Sequence, residues 1–174
     1  PCAQELPSAT NVVRHVETTE EMLAACLELH PNCDVLIGAA AVCDYRPASR
    51  LDSKRIRDAS PWTIELVPNP DILEELGRQK GNRLHIGFAL EMAGGAEAIA
   101  RARQKILEKH LDWIVVNPTS TVGSEIGSFH LLPARGEPVS LGLLSKTSFA
   151  ARLFDRVLDP AAEFCSRGPD DRPM

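Results

Sequence analysis

Carboxylates, carboxamides and cations recur in this chain directly after runs of small or branched apolar residues. Val-Leu-Ile-Gly at 35–38 runs through Ala39, Ala40 and Ala41 to Asp44, Tyr45 and Arg46. Leu-Val-Pro at 66–68 leads to Asn69, Pro70, Asp71 and Ile72. Gly-Phe-Ala-Leu at 87–90, which contains Phe88, leads to Glu91, and Ile-Val-Val at 114–116 leads to Asn117. An acid or amide at the end of a strand can hydrogen-bond a polar ligand, and the alanines let a flat group approach the backbone. The structural alternative is that Asp44 caps a loop and the alanines admit a packed helix. Asn69 followed by Pro70 fits a helix start, with asparagine as cap and proline as first residue. Exposed helix N–H groups there also suit an anion or a base edge.

Two groups of cations stand out. Arg101, Lys105 and Lys109 fall at successive i, i+4 positions in a helical pattern. Like charges so placed oppose each other by roughly 0.2–0.5 kcal/mol per pair, a cost that an anionic ligand would reverse. A solvated face screened by Glu108 and Asp112, at a helix end that favours cations, explains the row equally well. Lys54, Arg55 and Arg57 surround Ile56 in a polar stretch after Asp44. A basic flap leaving a strand end is where a phosphate clamp would sit, and it is also what a solvated loop looks like.

The elements that must position these groups follow from periodicity. The pattern predicts strands at 12–16, 35–39, 63–67, 84–88, 113–116 and 129–132, and helices at 19–29, 70–79, 96–109 and 146–157. The third helix should bury Ile99, Ala102, Ile106, Leu107 and Leu111. Strand alternating with helix predicts an α/β domain, a doubly wound, mostly parallel sheet whose ligands bind outside the carboxyl ends of the strands.

At 174 residues and 44% apolar content, the chain fits one domain with a real core. A formal net charge of −5 argues against a general nucleic-acid partner, and no apolar run approaches membrane-spanning length. Five cysteines without a C-x-x-C spacing disfavour a disulfide framework and a zinc site. Reduced thiols in the cytoplasm are the expectation, and no metal-ligating residue is assigned. The start at Pro1, with no initiator Met, predicts a segment upstream. The stretch at 160–174 lacks periodicity and is expected to be a disordered tail.

Taken together, AAAVCDYRP, Lys54 ten residues after Asp44, ELVPNPDIL, GFALE, K-x-x-x-K-x-L-D leading to VVN, and LLSK occur in order. The chain resembles phosphopantothenoylcysteine synthetase, the ligase of coenzyme A biosynthesis, from about Val12 to Asp159. The resemblance implies a Rossmann-like domain with a basic flap, residues 1–159 forming the C-terminal three-quarters of a synthetase domain. It implies a homodimer, with the possibility of a flavin-dependent decarboxylase domain fused upstream. The implied reaction joins 4'-phosphopantothenate to L-cysteine using CTP or ATP with Mg2+. By the same resemblance Ala39, Ala40 and Ala41 line the nucleotide base and Asp44 serves the nucleotide. Asn69, Pro70, Asp71, Ile72 and Phe88 complete that pocket, Lys105 and Lys109 hold phosphates, and Lys54 is the catalytic cation of the flap.

The chain departs from the family pattern at several points. The flap reads Lys54-Arg55-Ile56-Arg57 where K-I-K-K is usual, which leaves Lys54 or Arg55 as the catalytic cation. Cys43 stands for alanine, Met92 for threonine, Pro118 for aspartate, and Val122 and Gly127 for the phenylalanine and asparagine of an F-G-S-D-x-N run. The family's glycine-rich first strand and its N-x-S-S-G-x-x-G segment have no match. The expectation is therefore that residues 1–174 alone are poorly soluble and inactive, and regain activity when that segment is supplied. The alternative functions are a nucleotide-binding or dimerisation module that has lost catalysis, and an NAD(P)-dependent Rossmann oxidoreductase. Against the latter, no G-x-G-x-x-G follows a strand, and Ser49 rather than lysine stands four residues after Tyr45.

Overall fold

Side-chain alternation along three adjacent strands divides the larger core into two layers. In the computed structural model, which describes residues 12–91, 96–121 and 123–158, the chain falls into two compact units, Pro1–Pro31 with Val42–Ile72, and Asn32–Ala41 with Leu73–Met174. The second unit holds a five-stranded sheet in the order β1-β4-β5-β6-β7, namely Val35–Gly38, Leu84–Glu91, Trp113–Pro118, Ile126–Pro133 and Val139–Ser145. β1, β4 and β5 are parallel, while β6 and β7 extend the sheet antiparallel.

On one face Ile86, Val115, Phe129 and Leu131 pack with Phe149, Leu153 and Val157 of α4 (Lys146–Val157). On the other, Ala89, Ile114, Val116 and Leu132 pack with Ala98, Ala102 and Ile106 of α3 (Ala96–Glu108). Strands covered on both faces read as continuous apolar runs, which is why Ile-Val-Val was visible as a strand. Gly38 pairs with Gly87 across β1 and β4. A Cβ at Gly38 would come within 2.6 Å of the Leu73 side chain, and one at Gly87 within 2.6 Å of Leu111, so both glycines make room for packing over the sheet.

The first unit contains α1 (Thr19–Leu29) and a two-stranded antiparallel ribbon of β2 (Tyr45–Pro47) and β3 (Leu66–Pro68). A capping box starts α1: Glu21 N–H donates to Thr18 Oγ1, and Glu21 Oε2 accepts from the backbone of Glu17 and Thr18. The ribbon closes the base of the flap at 48–65, with Ala48 N–H donating to Glu65 O at 2.9 Å.

Several expected elements differ. Residues 12–16 form no strand, and Val12, Val13 and Val16 are exposed: valine content alone does not make a strand without a pairing partner. The expected strand at 63–67 contracts to β3, and β2 and β7 were not anticipated. The helix expected at 70–79 is α2, Ile72–Gly77, so Pro70 is not its first residue and Asn69 is not its cap. Leu107 is 70% exposed, because the buried stripe of α3 runs through Ala98, Ala102 and Ile106 instead. The tail at 160–174, together with Cys2, Met92, Val122 and Cys165, lies outside the described residues.

Gly127 also has a packing reason. A Cβ there would overlap Thr121 Cγ2, while Thr121 itself is buried and donates its hydroxyl to Pro118 O. Gly127→Ala should therefore destabilise by roughly 1–3 kcal/mol. That lowers the melting temperature by about 2–4 °C per kcal/mol in a chain of this size. Thr121→Ser removes the obstructing methyl, so the double variant should lose less than the sum of the single variants. Thermal unfolding of all four proteins measures this, and additive losses would show that the two positions are not coupled.

Candidate functional site

In the first unit the structure brings Asp44 and Asn69 together. Asn69 N–H donates to Asp44 O at 2.8 Å, and its side-chain Nδ2 donates to Cys43 O at 2.7 Å. Both bonds continue the β2–β3 ribbon by one step, so the carboxamide that sequence suggested as a helix cap is used to hold the turn into Asp44. The Asp44 carboxylate is exposed and has no hydrogen bond or ion pair among the described residues. Pro70 is half-buried, Asp71 exposed and Ile72 buried.

Arg46 holds the other side of the ribbon. Its Nε lies 2.6 Å from Glu20 Oε1, and its Nη1 donates to Pro68 O at 2.8 Å and to Asn69 Oδ1 at 3.1 Å. The nearness of Arg46 to Asp44 in sequence hinted at a role. Its partner Glu20 carries no comparable signal, since only the folded chain brings α1 to the ribbon.

The flap separates its cations by environment. The Arg55 guanidinium lies 4.6 Å from the centre of the Trp62 ring and 3.9 Å from Asp58 Oδ2. Arg55, Ile56, Arg57, Asp58, Ser60 and Trp62 line an open concavity of about 240 Å³. Lys54 is exposed and makes no hydrogen bond, ion pair or ring contact among the described residues. Trp62, which sequence reading passed over, is thus what distinguishes Arg55 from Lys54.

In the second unit Ala39, Ala40 and Ala41 follow β1 and are exposed, with no helix covering them among the described residues. β1 ends at Gly38, opposite Gly87, so Ala39 is the first residue past the strand while Phe88 is the next residue of β4. Phe88 is half-buried, its ring edge-on to Phe149 at 6.1 Å, so part of it serves the core. Asn117 Nδ2 donates to Thr121 Oγ1 at 3.4 Å. Only the backbone of Glu91 is described.

Lys105 lies in the last turn of α3, and Lys109, one residue past the helix, donates its N–H to Lys105 O at 3.0 Å. The two lysines are half-buried, and the Lys109 carbonyl abuts Gly77 at the end of α2, where any Cβ would overlap it. The acids proposed to screen the row are engaged elsewhere. Glu108 accepts from Gln104, and Asp112 binds Lys80 Nζ at 2.5 Å and His85 N–H at 2.7 Å. Arg101 pairs with Glu97 at 2.6 Å.

Of the described cysteines, Cys43 is exposed and Cys26 and Cys33 are half-buried, all as free thiols. Burial pushes the Cys26 thiol up, which makes it a poorer nucleophile. Among the described residues no three His, Cys, Asp or Glu side chains gather as a metal-binding group, and no helix is long and apolar enough to cross a membrane.

A parallel core flanked by helices, with polar groups at its strand ends, defines a Rossmann-like α/β domain. The family described as DNA/pantothenate metabolism flavoprotein C-terminal domain matches residues 1–161, and the chain belongs to that family. A coenzyme A biosynthesis bifunctional protein CoaBC from Borreliella burgdorferi is 31% identical over 134 residues, covering 76% of this chain and 34% of the relative. A cysteine/cysteine sulfinic acid decarboxylase from an unknown prokaryotic organism is 34% identical over 158 residues, covering 87% of this chain and 43% of the relative. The chain thus spans less than half the length of these curated relatives. Among solved structures, the C-terminal domain of CoaBC superposes with a TM-score of 0.70 at 30% identity, covering 91% of this chain and 71% of that one. A Cab2 variant in complex with phosphopantothenate-cysteine shares the fold, with a TM-score of 0.61 at 17% identity over 86% of this chain and 54% of that one.

Proposed function

We propose that residues 1–159 are the C-terminal three-quarters of the synthetase domain of a cytoplasmic phosphopantothenate–cysteine ligase. The observation that carries the reading is the joining of Asp44 to Asn69, which fixes an exposed, uncommitted carboxylate where the family's motif has its nucleotide-binding aspartate. The relatives' role in coenzyme A biosynthesis and the Cab2 complex with phosphopantothenate-cysteine support the choice of substrates. The domain acts as a homodimer. The bifunctional relative, and a family described as a flavoprotein's C-terminal domain, favour a fused upstream flavin-dependent decarboxylase half.

In this reading the carboxylate of 4'-phosphopantothenate attacks the α-phosphate of CTP, the Pα–O bond to the β-phosphate breaks, and pyrophosphate leaves. The cysteine amine then attacks the acyl carbon, loses a proton as the amide forms, and expels CMP. Such transfers need cations placed around developing charge rather than a protein nucleophile. Lys54 supplies that charge from the flap, since Arg55 is held by Trp62 and Asp58. The family resemblance assigns Ala39, Ala40, Ala41 and Phe88, and separately the segment from Asn69 to Ile72, to the nucleotide base. Lys105 and Lys109 take phosphate charge, and Mg2+, a hard cation suited to oxygen ligands, would supply further positive charge at the triphosphate.

Equilibrium binding to the natural full-length protein tests the assignment. CTP with magnesium should bind and NADPH should not. NADPH binding in its place would mark an oxidoreductase, and CTP binding without turnover a module that has lost catalysis.

A further inference from the structure

We infer that Arg46 is a positioning residue of the nucleotide site, acting through Asn69 on the turn that presents Asp44. The inference rests on the nucleotide role proposed for Asp44 and extends it to a residue that does not itself touch the ligand.

An arginine next to a nucleotide-binding acid invites a simpler role as a phosphate clamp, but its contacts argue otherwise. Glu20 already compensates its charge at 2.6 Å. Both contacts of Nη1 are spent on protein acceptors, Pro68 O and Asn69 Oδ1. What the guanidinium does is orient an amide. Because Asn69 Oδ1 accepts from Arg46, the Nδ2 end faces the other way and donates to Cys43 O. The same residue's backbone N–H holds Asp44 O. Arg46, Asn69, Cys43 and Asp44 therefore form one chain of bonds ending at the residue before the carboxylate and at that residue itself.

The ribbon needs such help. β2 and β3 are three residues each, and a two-stranded ribbon of that size has little stability of its own. Their outward side chains, Tyr45 and Leu66, are 60% and 56% exposed, so packing does little to fix the turn. Glu20, for its part, sits in the first turn of α1, whose start the capping box defines. An arginine does this work better than a lysine, since its planar fork serves three acceptors from fixed directions.

The ion pair is itself too exposed to matter much for folding. The expected phenotype is therefore a binding defect with little loss of melting temperature. In the natural full-length protein, Arg46→Lys keeps a charge for Glu20 but not the fork, and should raise KM for CTP about tenfold while changing kcat less than about twofold. KM for phosphopantothenate and cysteine should stay put. Arg46→Gln should weaken CTP more. Glu20→Gln, which leaves the Pro68 and Asn69 contacts in place, should weaken it less.

The decisive comparison is with Asp44→Asn, measured by calorimetric titration of CTP with magnesium. If Arg46 acts through Asp44, Arg46→Lys added to Asp44→Asn should cost almost nothing further. Additive losses, or a fall in kcat with all three substrates affected alike, would overturn the inference. So would normal CTP binding in Arg46→Lys and Arg46→Gln when Asp44→Asn is impaired. Should Arg46→Gln fail to fold, Arg46→Lys and the double variant still decide. Binding of neither CTP nor ATP by the unaltered protein would instead defeat the proposed function itself.

Discussion

Lys54→Gln in the natural full-length protein should lower kcat by roughly 10²–10³, the range seen when one preorganised donor to a developing charge is lost. CTP affinity should change by no more than about threefold, because an exposed ammonium contributes little until charge develops on the reacting phosphate. Arg55→Gln should have a much smaller effect. Its guanidinium is occupied by the Trp62 ring at 4.6 Å and by Asp58, whereas Lys54 is uncommitted. Single-turnover kinetics with each variant distinguishes them. A normal rate in Lys54→Gln with a large loss in Arg55→Gln would move the role one residue along, and normal rates in both would remove the flap from the mechanism.

The helix lysines should show the opposite division. Lys105→Ala and Lys109→Ala should each weaken CTP binding about tenfold, the worth of a charge-assisted contact. They should also flatten its dependence on salt, since each removes one cation from a triphosphate site. Relief of the like-charge row itself is a small term, roughly 0.2–0.5 kcal/mol per pair in the stabilising direction. Titrations at several ionic strengths measure both quantities. Unchanged affinity in the double variant would mean that the row is a solvated face.

Most of the sheet was legible because its strands are buried on both faces. Ile-Val-Val and Gly-Phe-Ala-Leu have no polar interruption, and the apolar stripes of α1 and α4 gave helix bounds that the structure reproduces, Thr19–Leu29 and Lys146–Val157. The misreadings have a common physical source in pairing and packing that a linear pattern does not contain. Residues 12–16 have the composition of a strand but no partner among the described residues, while Tyr45–Pro47 has little strand character and pairs because Leu66–Pro68 lies opposite. Asn69-Pro70 has the chemistry of a helix start, yet Asn69 is drawn into bonds with Cys43, Asp44 and Arg46, and the helix waits until Ile72.

The candidate site was legible in its residue types and obscure in its wiring. Asp44, Asn69 and the lysines could be picked out by position after strands or along a helix. Three matters were beyond that reading: that Glu108 and Asp112 are committed to Gln104, Lys80 and His85, that Trp62 occupies Arg55, and that Glu20 reaches Arg46. All three depend on contacts between residues whose side chains meet only in the folded chain.

The central claim is that the phosphopantothenate carboxylate is activated on the α-phosphate of a nucleotide. The most direct measurement supplies the natural full-length protein with CTP, magnesium, L-cysteine and 4'-phosphopantothenate labelled with oxygen-18 in its carboxylate, and analyses the products by mass spectrometry. Phosphopantothenoylcysteine should form together with pyrophosphate, and the CMP should carry one heavy oxygen, transferred when the amine displaces it from the acyl carbon. Label appearing in inorganic phosphate with CDP as the nucleotide product would place the activation at the γ-phosphate and contradict the account, as would the absence of any ligated product.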